Sequence, residues 1–238
     1  MTILSTSSIE FRLPELPELK AQLSDPNSAI LPGDAQYDTA RRAWNLSVDQ
    51  YPALIVVARS PEDVVAAVRF ARSQELEVAV TATGHGVIRK ADRSLLIDTS
   101  NMAAVEVDAD AQTAWVGAGT KWGAVLAAAQ AVGLAPLLGS SPDVGAIGYT
   151  LGGGMGWLVR KFGLSTDNVN VFEVVTADGQ QVHASATENP DLFWGLRGGG
   201  GNFGIVTGME IRLYPVTMVY GGNLFYPVEI AKEVFVHY

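Results

Sequence analysis

The sequence predicts an α+β fold in which short strands alternate with two longer helices, and three observations support this prediction. A β-branched run at residues 53–58 is typical of a buried strand. Residues 60–63, Ser-Pro-Glu-Asp, combine an N-cap serine, a proline at the first helical position and acids in the first turn, which together predict the start of a helix. An Asp178-Gly179 pair between two strand-like runs predicts a hairpin turn.

The other elements are predicted from periodicity and from helix-breaking residues. The helix after residue 60 has one apolar face, formed by Val64, Val65, Val68 and Ala71. Short strands are then expected at residues 77–80, 95–98, 105–107 and 113–116. An alanine-rich helix follows, capped by Thr120 and ended by Gly133. The last third of the chain is expected to contain hairpin strands at 171–176 and 180–184, a short helix from Asn189 and a closing strand at 205–214.

The chain is predicted to be organised in three parts. Residues 1–50 form an N-terminal arm, because four prolines interrupt any long helix there. Residues 51–215 form the main domain, with subdomains at about 51–115 and 116–215. Residues 216–238 begin a further domain, with a strand-like stretch at 218–226 and a helix start at Pro227. We therefore expect a natural or artificial truncation, or one piece of a split enzyme.

Composition and charge narrow the classes of partner. The net charge of −9, without any Lys/Arg cluster, argues against a nucleic-acid or anionic-membrane surface and favours a small molecule. The absence of cysteine excludes disulfides, thiolate catalysis and iron–sulfur sites. His85, His183 and His237 lack metal-ligand spacing, so no metal site is predicted. Neither a signal peptide nor a run of about 18 apolar residues occurs, and we expect a cytoplasmic protein.

A histidine lies in a small-residue loop that follows a predicted strand. The loop reads Thr81, Ala82, Thr83, Gly84, His85 and Gly86. Its two glycines allow a sharp turn that points successive N–H groups at one spot, which is how a pyrophosphate can be held without basic side chains. His85 is placed there to act as a nucleophile toward a bound cofactor. Taken alone, however, a single histidine in a turn is more often without a catalytic role.

A dense glycine cluster is the stronger signal. Glycines occupy positions 145, 148, 152, 153, 154 and 156, and the apolar residues between them argue against a flexible linker. The pattern favours a long planar or phosphorylated ligand that lies against the main chain. Residues 117–123 imitate a dinucleotide-binding fingerprint but lack the acid expected about 20 residues further on, so a tight strand-to-helix turn explains them. Asp167 and Asn168 are explained equally well by a cap and by a hydrogen bond to a ligand.

These segments, in this order, resemble the FAD-linked oxidases of the vanillyl-alcohol-oxidase type with a PCMH-type FAD-binding domain, most closely the berberine-bridge-enzyme-like branch. The resemblance extends over residues 51–215. The segments that carry it are residues 80–86, 96–102, 116–123, 139–145, 148–154, 162–169 and 189–207. The resemblance implies an FAD domain of two α+β subdomains with the cofactor between them, its pyrophosphate on the loop 81–86, and a truncated substrate domain.

The resemblance also implies the residues of the site. His85 matches a histidine whose ring nitrogen is bonded to the 8α carbon of the flavin, and Val144 matches a position that influences oxygen access. The implied cofactor-binding set is Thr81, Ala82, Thr83, Gly84, His85, Gly86, Ser140, Ser141, Val144, Gly145, Gly148, Tyr149, Gly152, Gly153, Gly163, Asp167, Asn168, Gly204, Ile205 and Val206. No catalytic base is assigned, because in this family it lies beyond the end of the present chain.

Two positions depart from the family pattern. Ser141 stands where many members of the branch carry a second, thioether-forming cysteine, so a single histidyl link or non-covalent FAD remains. Thr81 and Thr83 stand where arginine and glycine are common, which removes a charged neighbour of the phosphates.

The implied function is an FAD-dependent oxidase that moves a hydride from a substrate C–OH or similar carbon to flavin N5, with oxygen as acceptor. One alternative is an FAD-binding remnant or partial chain without independent catalysis. Another is a non-covalent FAD-dependent reductase of the same domain family. Completion of the site by a second polypeptide or by self-association is a further expectation.

Overall fold

The computed structural model describes residues 13–87 and 89–237, in which the strands form two sheets. The first sheet contains, in spatial order, Ala29–Ile30 (β1), Leu54–Val57 (β2), Leu95–Asp98 (β4) and Val78–Thr81 (β3). The second sheet contains, in spatial order, Val105–Asp108 (β5), Thr113–Gly117 (β6), Ile205–Arg212 (β9), Val169–Val175 (β7) and Gln181–Ser185 (β8). The α+β prediction is confirmed.

The described helices lie between and beside these strands. They are Leu16–Gln22 (α1), Tyr37–Ala40 (α2), Pro61–Ser73 (α3), Trp122–Gln130 (α4), Ala146–Leu151 (α5), Val159–Phe162 (α6), Pro190–Leu196 (α7) and Ala231–His237 (α8). None of these helices combines the length and the apolar character needed to cross a membrane.

The first sheet is parallel except at one edge. Strands β2 and β3 both run parallel to β4, whereas β1 pairs antiparallel with β2. Helix α3 links β2 to β3 and buries Val64, Val68 and Ala71 against the sheet. Its start is as predicted, because Ser60 Oγ accepts a hydrogen bond from Asp63 N and Pro61 occupies the first helical position.

The second sheet is antiparallel throughout its described strands. Phe172, Met209 and Trp122 are fully buried in its core. The hairpin between β7 and β8 is closed by a hydrogen bond of 2.9 Å from Thr176 N to Gln180 O, and Gly179 takes a φ of +76°. The Asp-Gly turn predicted there is confirmed.

The two sheets are packed together. Met102, Ala118 and Val175, which lie outside the first sheet, are buried in the core that α3 covers. On the surface, an Arg69 guanidinium nitrogen donates a hydrogen bond of 3.0 Å to Gly179 O, which ties α3 to the β7–β8 hairpin. The loops that leave either sheet at this junction therefore hold fixed positions relative to each other.

Three boundaries differ from the sequence-based expectations. Strand β5 pairs antiparallel with β6, so the division between the halves falls before Val105 and not near residue 115. The residues predicted to form an N-terminal arm contribute β1 to the first sheet and bury Leu19 and Leu23 in its core. Their prolines keep each element short, but short elements are enough to place these apolar side chains in the core. Residues 218–226 form no strand in the described chain, since they have no neighbouring strand to pair with, while a helical turn does start after Pro227.

The start of α4 also differs. The helix begins at Trp122, and Thr120 Oγ1 donates a hydrogen bond of 3.1 Å to Ala104 O instead of capping the helix. The turn before α4 lies directly against Thr99, and only glycine fits at position 119, because a Cβ there would lie 2.2 Å from Thr99 O. The turn at residues 117–123 is thus a close packing contact between the two halves, in agreement with its interpretation as a tight strand-to-helix turn.

Candidate cofactor-binding site

The loop after β3 presents free backbone donors. Its start is anchored because Thr81 O accepts hydrogen bonds from Thr99 N at 2.9 Å and from Thr99 Oγ1 at 3.2 Å. Beyond this point, the N–H groups of Ala82, Thr83, Gly84 and Gly86 have no acceptor among the described residues. Successive unsatisfied N–H groups on a sharp turn are the arrangement that binds phosphate oxygens.

The tip of this loop rests on the segment that precedes β2. Gly84 has a φ of +70°, and a Cβ there would lie 2.8 Å from Trp44 N and 2.9 Å from Ala43 Cα. The half-buried imidazole of His85 stacks on the Trp44 indole, with ring centroids 4.3 Å apart and an interplanar angle of 20°. Sequence reasoning missed Trp44 because the two rings are brought together only by the fold.

The second half brings Gly145 to the same loop. Trp122 N donates to Val144 O at 3.0 Å and Ala146 N donates to Thr120 O at 2.8 Å, so the chain around Gly145 is fastened to the start of α4. A Cβ added to Gly145 would lie 3.5 Å from Thr83 Cγ2 and Oγ1. The loop after β3 and the N-terminal end of α5 therefore meet, and both belong to the cofactor-binding set that the family resemblance implies.

The glycine cluster divides into two kinds of position. A Cβ at Gly154 would lie 2.6 Å from Tyr149 Cε1, and one at Gly156 would lie 2.1 Å from Leu138 O, so these glycines are required by the protein's own packing. Gly148 is exposed, has no positive φ, and a Cβ there would meet nothing within 4 Å. The interpretation of the whole cluster as a ligand surface is thus corrected for Gly154 and Gly156, which make room for a tyrosine ring and a carbonyl.

Tyr149 lies in the space that these glycines leave. Its ring packs edge-on to Trp122 with centroids 5.6 Å apart, and its hydroxyl is buried without a hydrogen-bond partner among the described residues. Burial raises the pKa of the Tyr149 phenol above its ordinary value. An unsatisfied buried hydroxyl costs free energy unless a ligand atom or an ordered water supplies a partner.

The segment from Gly163 to Asn168 lies beside the glycine cluster, because Thr166 N donates to Gly153 O at 3.0 Å. Gly163 ends α6 with a φ of +84°, and Asp167 Oδ2 accepts from Leu164 N at 3.0 Å, which is a cap. Asn168 Nδ2 donates to Phe162 O and Leu164 O, and its Oδ1 accepts from the Tyr214 hydroxyl. The side chain of Asn168 is thus engaged within the protein.

The remaining predicted positions lie at the edges of this arrangement. Ser140 is exposed and Ser141 half-buried, just before the Pro142 carbonyl that accepts from Gly123 N at 2.8 Å. Gly152 is exposed at the end of α5. Gly204 and the first two residues of β9 pack on β7. Val206 pairs with Val174, Ile205 pairs with Val175, and a Cβ on Gly204 would lie 2.6 Å from Val174 Cγ1.

One ionisable group near the loop was also missed from the sequence. Asp98 ends β4 opposite Thr81, and burial raises the pKa of its carboxyl above the ordinary value, although Ser100 N donates to it at 2.8 Å. A half-buried aspartate has no local sequence signature, since its burial is set by packing. The described residues contain no group of three or more side chains suited to hold a metal ion.

The family profile described as an FAD binding domain matches residues 52–185. The chain is 36% identical over 199 residues to (R)-6-hydroxynicotine oxidase of Paenarthrobacter nicotinovorans, and this match covers 83% of the chain and 43% of that relative. It is 35% identical over 202 residues to an FAD-linked oxidoreductase of Dictyostelium discoideum, covering 84% of the chain and 45% of that relative. The chain thus spans less than half the length of these curated relatives.

Solved structures agree with these matches. 6-Hydroxy-D-nicotine oxidase from Arthrobacter nicotinovorans superposes with a TM-score of 0.76 at 36% identity, over 78% of the chain and 42% of that structure. Glucooligosaccharide oxidase from Acremonium strictum, which carries a 6-S-cysteinyl, 8α-N1-histidyl FAD, gives a TM-score of 0.75 at 33% identity, over 82% of the chain and 42% of that structure. The chain belongs to the FAD-binding domain family, and its relatives are FAD-linked oxidoreductases of the vanillyl-alcohol-oxidase, PCMH type.

Proposed function

We propose that this chain is the FAD-binding part of an FAD-linked oxidase of the berberine-bridge-enzyme-like branch, in which His85 is bonded to the 8α carbon of the flavin. Bound FAD supplies an acceptor for a hydride from a substrate carbon, and molecular oxygen is the acceptor that restores the oxidised cofactor. The relatives named as oxidases support this activity. Ser141 in place of a cysteine leaves histidyl attachment as the covalent option.

The single observation that carries the proposal is a pair of glycines that the fold itself does not need. Gly86 and Gly148 have neither a positive φ nor any atom within 4 Å of an added Cβ. Gly148 also lies within α5, where glycine is about 1 kcal/mol less favourable than alanine. A cofactor that lies against the main chain explains why a side chain is absent at both positions.

Different groups of the chain are suited to bind different parts of FAD. The free N–H groups of Ala82, Thr83, Gly84 and Gly86 suit the pyrophosphate, and no charged side chain lies between Thr81 and Gly86. The buried Tyr149 hydroxyl suits a polar atom of the cofactor. His85 projects from the same loop, half-exposed, so its imidazole is open on the side away from Trp44.

Formation of the proposed bond at His85 is a two-electron oxidation. One imidazole N–H bond and one C–H bond of the flavin 8-methyl group are replaced by an N–C bond. The two protons and two electrons released would pass to molecular oxygen, which becomes hydrogen peroxide. The chain's contribution is to hold the imidazole nitrogen near this carbon and to keep the pyrophosphate fixed on the loop.

Acid precipitation tests the covalent link. We expect a yellow, fluorescent pellet from the purified protein and an intact mass increased by one FAD. His85→Ala removes the covalent cofactor, whereas His183→Ala, at an exposed position on β8, keeps it and serves as the matched control. Covalent flavin retained in His85→Ala, or none in the wild-type protein, contradicts the assignment.

Gly148→Ala tests whether the open space at Gly148 belongs to a cofactor-binding surface. Because the fold leaves open space at Gly148, alanine is expected to raise the free energy of unfolding of flavin-free protein by up to about 1 kcal/mol. The same methyl group is expected to weaken FAD binding, measured by fluorescence titration in the His85→Ala background. Unchanged FAD affinity in Gly148→Ala and in the bulkier Gly148→Val would contradict a cofactor surface at α5.

A further inference from the structure

We propose that Trp44 is a positioning residue for His85, whose indole covers one face of the imidazole and holds the ring in a single orientation toward the flavin. This inference rests on the proposed function, in which His85 carries the cofactor link. It assigns a role in that site to the segment of residues 41–50, which lies before β2 and outside the glycine-rich segments.

The contact between the two rings is specific. Their centroids are 4.3 Å apart and the planes are within 20° of parallel, which is a stacked geometry. Trp44 is nevertheless 65% exposed, so its indole does not serve to fill a core. Among the described residues, the imidazole of His85 is the aromatic ring that stacks on this indole.

The backbones beneath the two rings are also in contact. Gly84, the residue before the histidine, approaches Trp44 N and Ala43 Cα so closely that no side chain fits between them. Ala43 itself is buried. The loop after β3 and the chain at Ala43–Trp44 therefore form one packed unit, and a shift of either segment moves both rings.

The segment that displays Trp44 is clamped at both ends. Arg41 forms ion pairs with Asp38 and Asp49, and its guanidinium lies 4.3 Å from the centroid of the Tyr51 ring. Buried Gln50 closes the loop, because its Nε2 donates to Arg41 O at 2.9 Å and its Oε1 accepts from Ala91 N at 3.1 Å. Trp44 thus projects from a braced loop and can restrain its neighbour.

A restrained imidazole reacts differently from a free one. A histidine side chain without a packing partner samples about three χ1 wells and a two-fold χ2 range, so loss of the stacking partner dilutes the reactive orientation roughly six-fold. A ring that is free to turn also presents its nitrogen atoms more often to reagents in solution. Both effects can be measured without any substrate of the enzyme.

Two variants and a control separate positioning from simple folding. Trp44→Leu removes the aromatic face but keeps apolar bulk, and Trp44→Phe restores a stacking ring. Trp194→Leu changes another exposed tryptophan, on α7, and is the matched control. All proteins are produced in flavin-limited cells and compared as the same full chain.

The first readout is the rate of covalent FAD incorporation after FAD is added, followed by intact mass. We expect this rate to decrease about six-fold in Trp44→Leu and to stay near the wild-type value in Trp44→Phe and in Trp194→Leu. Non-covalent FAD affinity is measured in His85→Ala with and without Trp44→Leu, and it is expected to differ by less than about two-fold. A parallel loss of affinity would show that Trp44 merely supports the loop and would overturn the proposal.

The second readout does not depend on the covalent link. Diethyl pyrocarbonate acylates neutral imidazole, and the rate at His85 is followed by peptide mass spectrometry with exposed His183 as internal reference. We expect the ratio of the His85 rate to the His183 rate to rise in Trp44→Leu and to return to the wild-type value in Trp44→Phe. An unchanged ratio overturns the positioning role, whereas absence of covalent FAD from the wild-type protein overturns the link at His85 instead.

Discussion

Replacement of Gly84 by alanine is expected to separate the loop after β3 from the segment that supports it. Its φ of +70° is costly for alanine, by about 1–2 kcal/mol. The new Cβ would also lie 2.8 Å from Trp44 N, an overpacked backbone contact that costs about 1–3 kcal/mol more. Together these terms lower the free energy of unfolding by about 2–5 kcal/mol, unless the loop moves away and gives up the stacking of His85 on Trp44.

Gly86→Ala is the matched control, two residues further along the same loop. Its Cβ would meet nothing within 4 Å and its φ is not positive, so stability is expected to stay within about 1 kcal/mol of the wild type. Urea unfolding followed by circular dichroism measures both variants, and His85 acylation reports on loop displacement. Equal unfolding midpoints and equal acylation rates for the two variants would refute the packing of Gly84 against Trp44.

Three further perturbations test the fold around the site. Asp98→Asn is expected to stabilise the protein at pH 7. Burial raises the folded-state pKa of Asp98, so the wild-type protein loses stability as pH rises from the ordinary value of 3.8 to the folded-state pKa, and the advantage of asparagine should vanish below pH 3.8 in urea titrations. Phe172→Ala, at a fully buried position, is expected to lower the free energy of unfolding by about 3–5 kcal/mol, measured by urea titration. Gly119→Ala, whose Cβ would lie 2.2 Å from Thr99 O, is expected to lower the melting temperature and FAD affinity together.

Elements with local signals were predictable from the sequence. Residues 53–58 predicted β2 because an unbroken β-branched run suits a strand buried on both faces. The N-cap and proline at residues 60–61 fixed the start of α3, and the Asp-Gly pair fixed the β7–β8 turn. The loop at residues 81–86 and Gly145 were also placed in one site, through the resemblance of their motifs to a family.

Features that depend on distant partners were not predictable. The pairing of Ala29–Ile30 with β2 joins segments about 25 residues apart, and a two-residue strand has no periodicity to detect. The stacking of His85 on Trp44 likewise depends on contacts between separate segments. Glycine content alone could not separate Gly154, which packing requires, from Gly148, which packing leaves open.

The position of the site at the junction of two sheets links cofactor binding to stability. Thr83 comes from the first half and Gly145 from the second, and their spacing is set by contacts away from the loop itself. Two such contacts are the hydrogen bond of 2.9 Å from Gly119 N to Met102 O and the hydrogen bond of 3.0 Å from Arg69 to Gly179 O. Opening of this junction separates Thr83 from Gly145, so we expect FAD held by the proposed site to bind the closed form and to stabilise the junction by mass action.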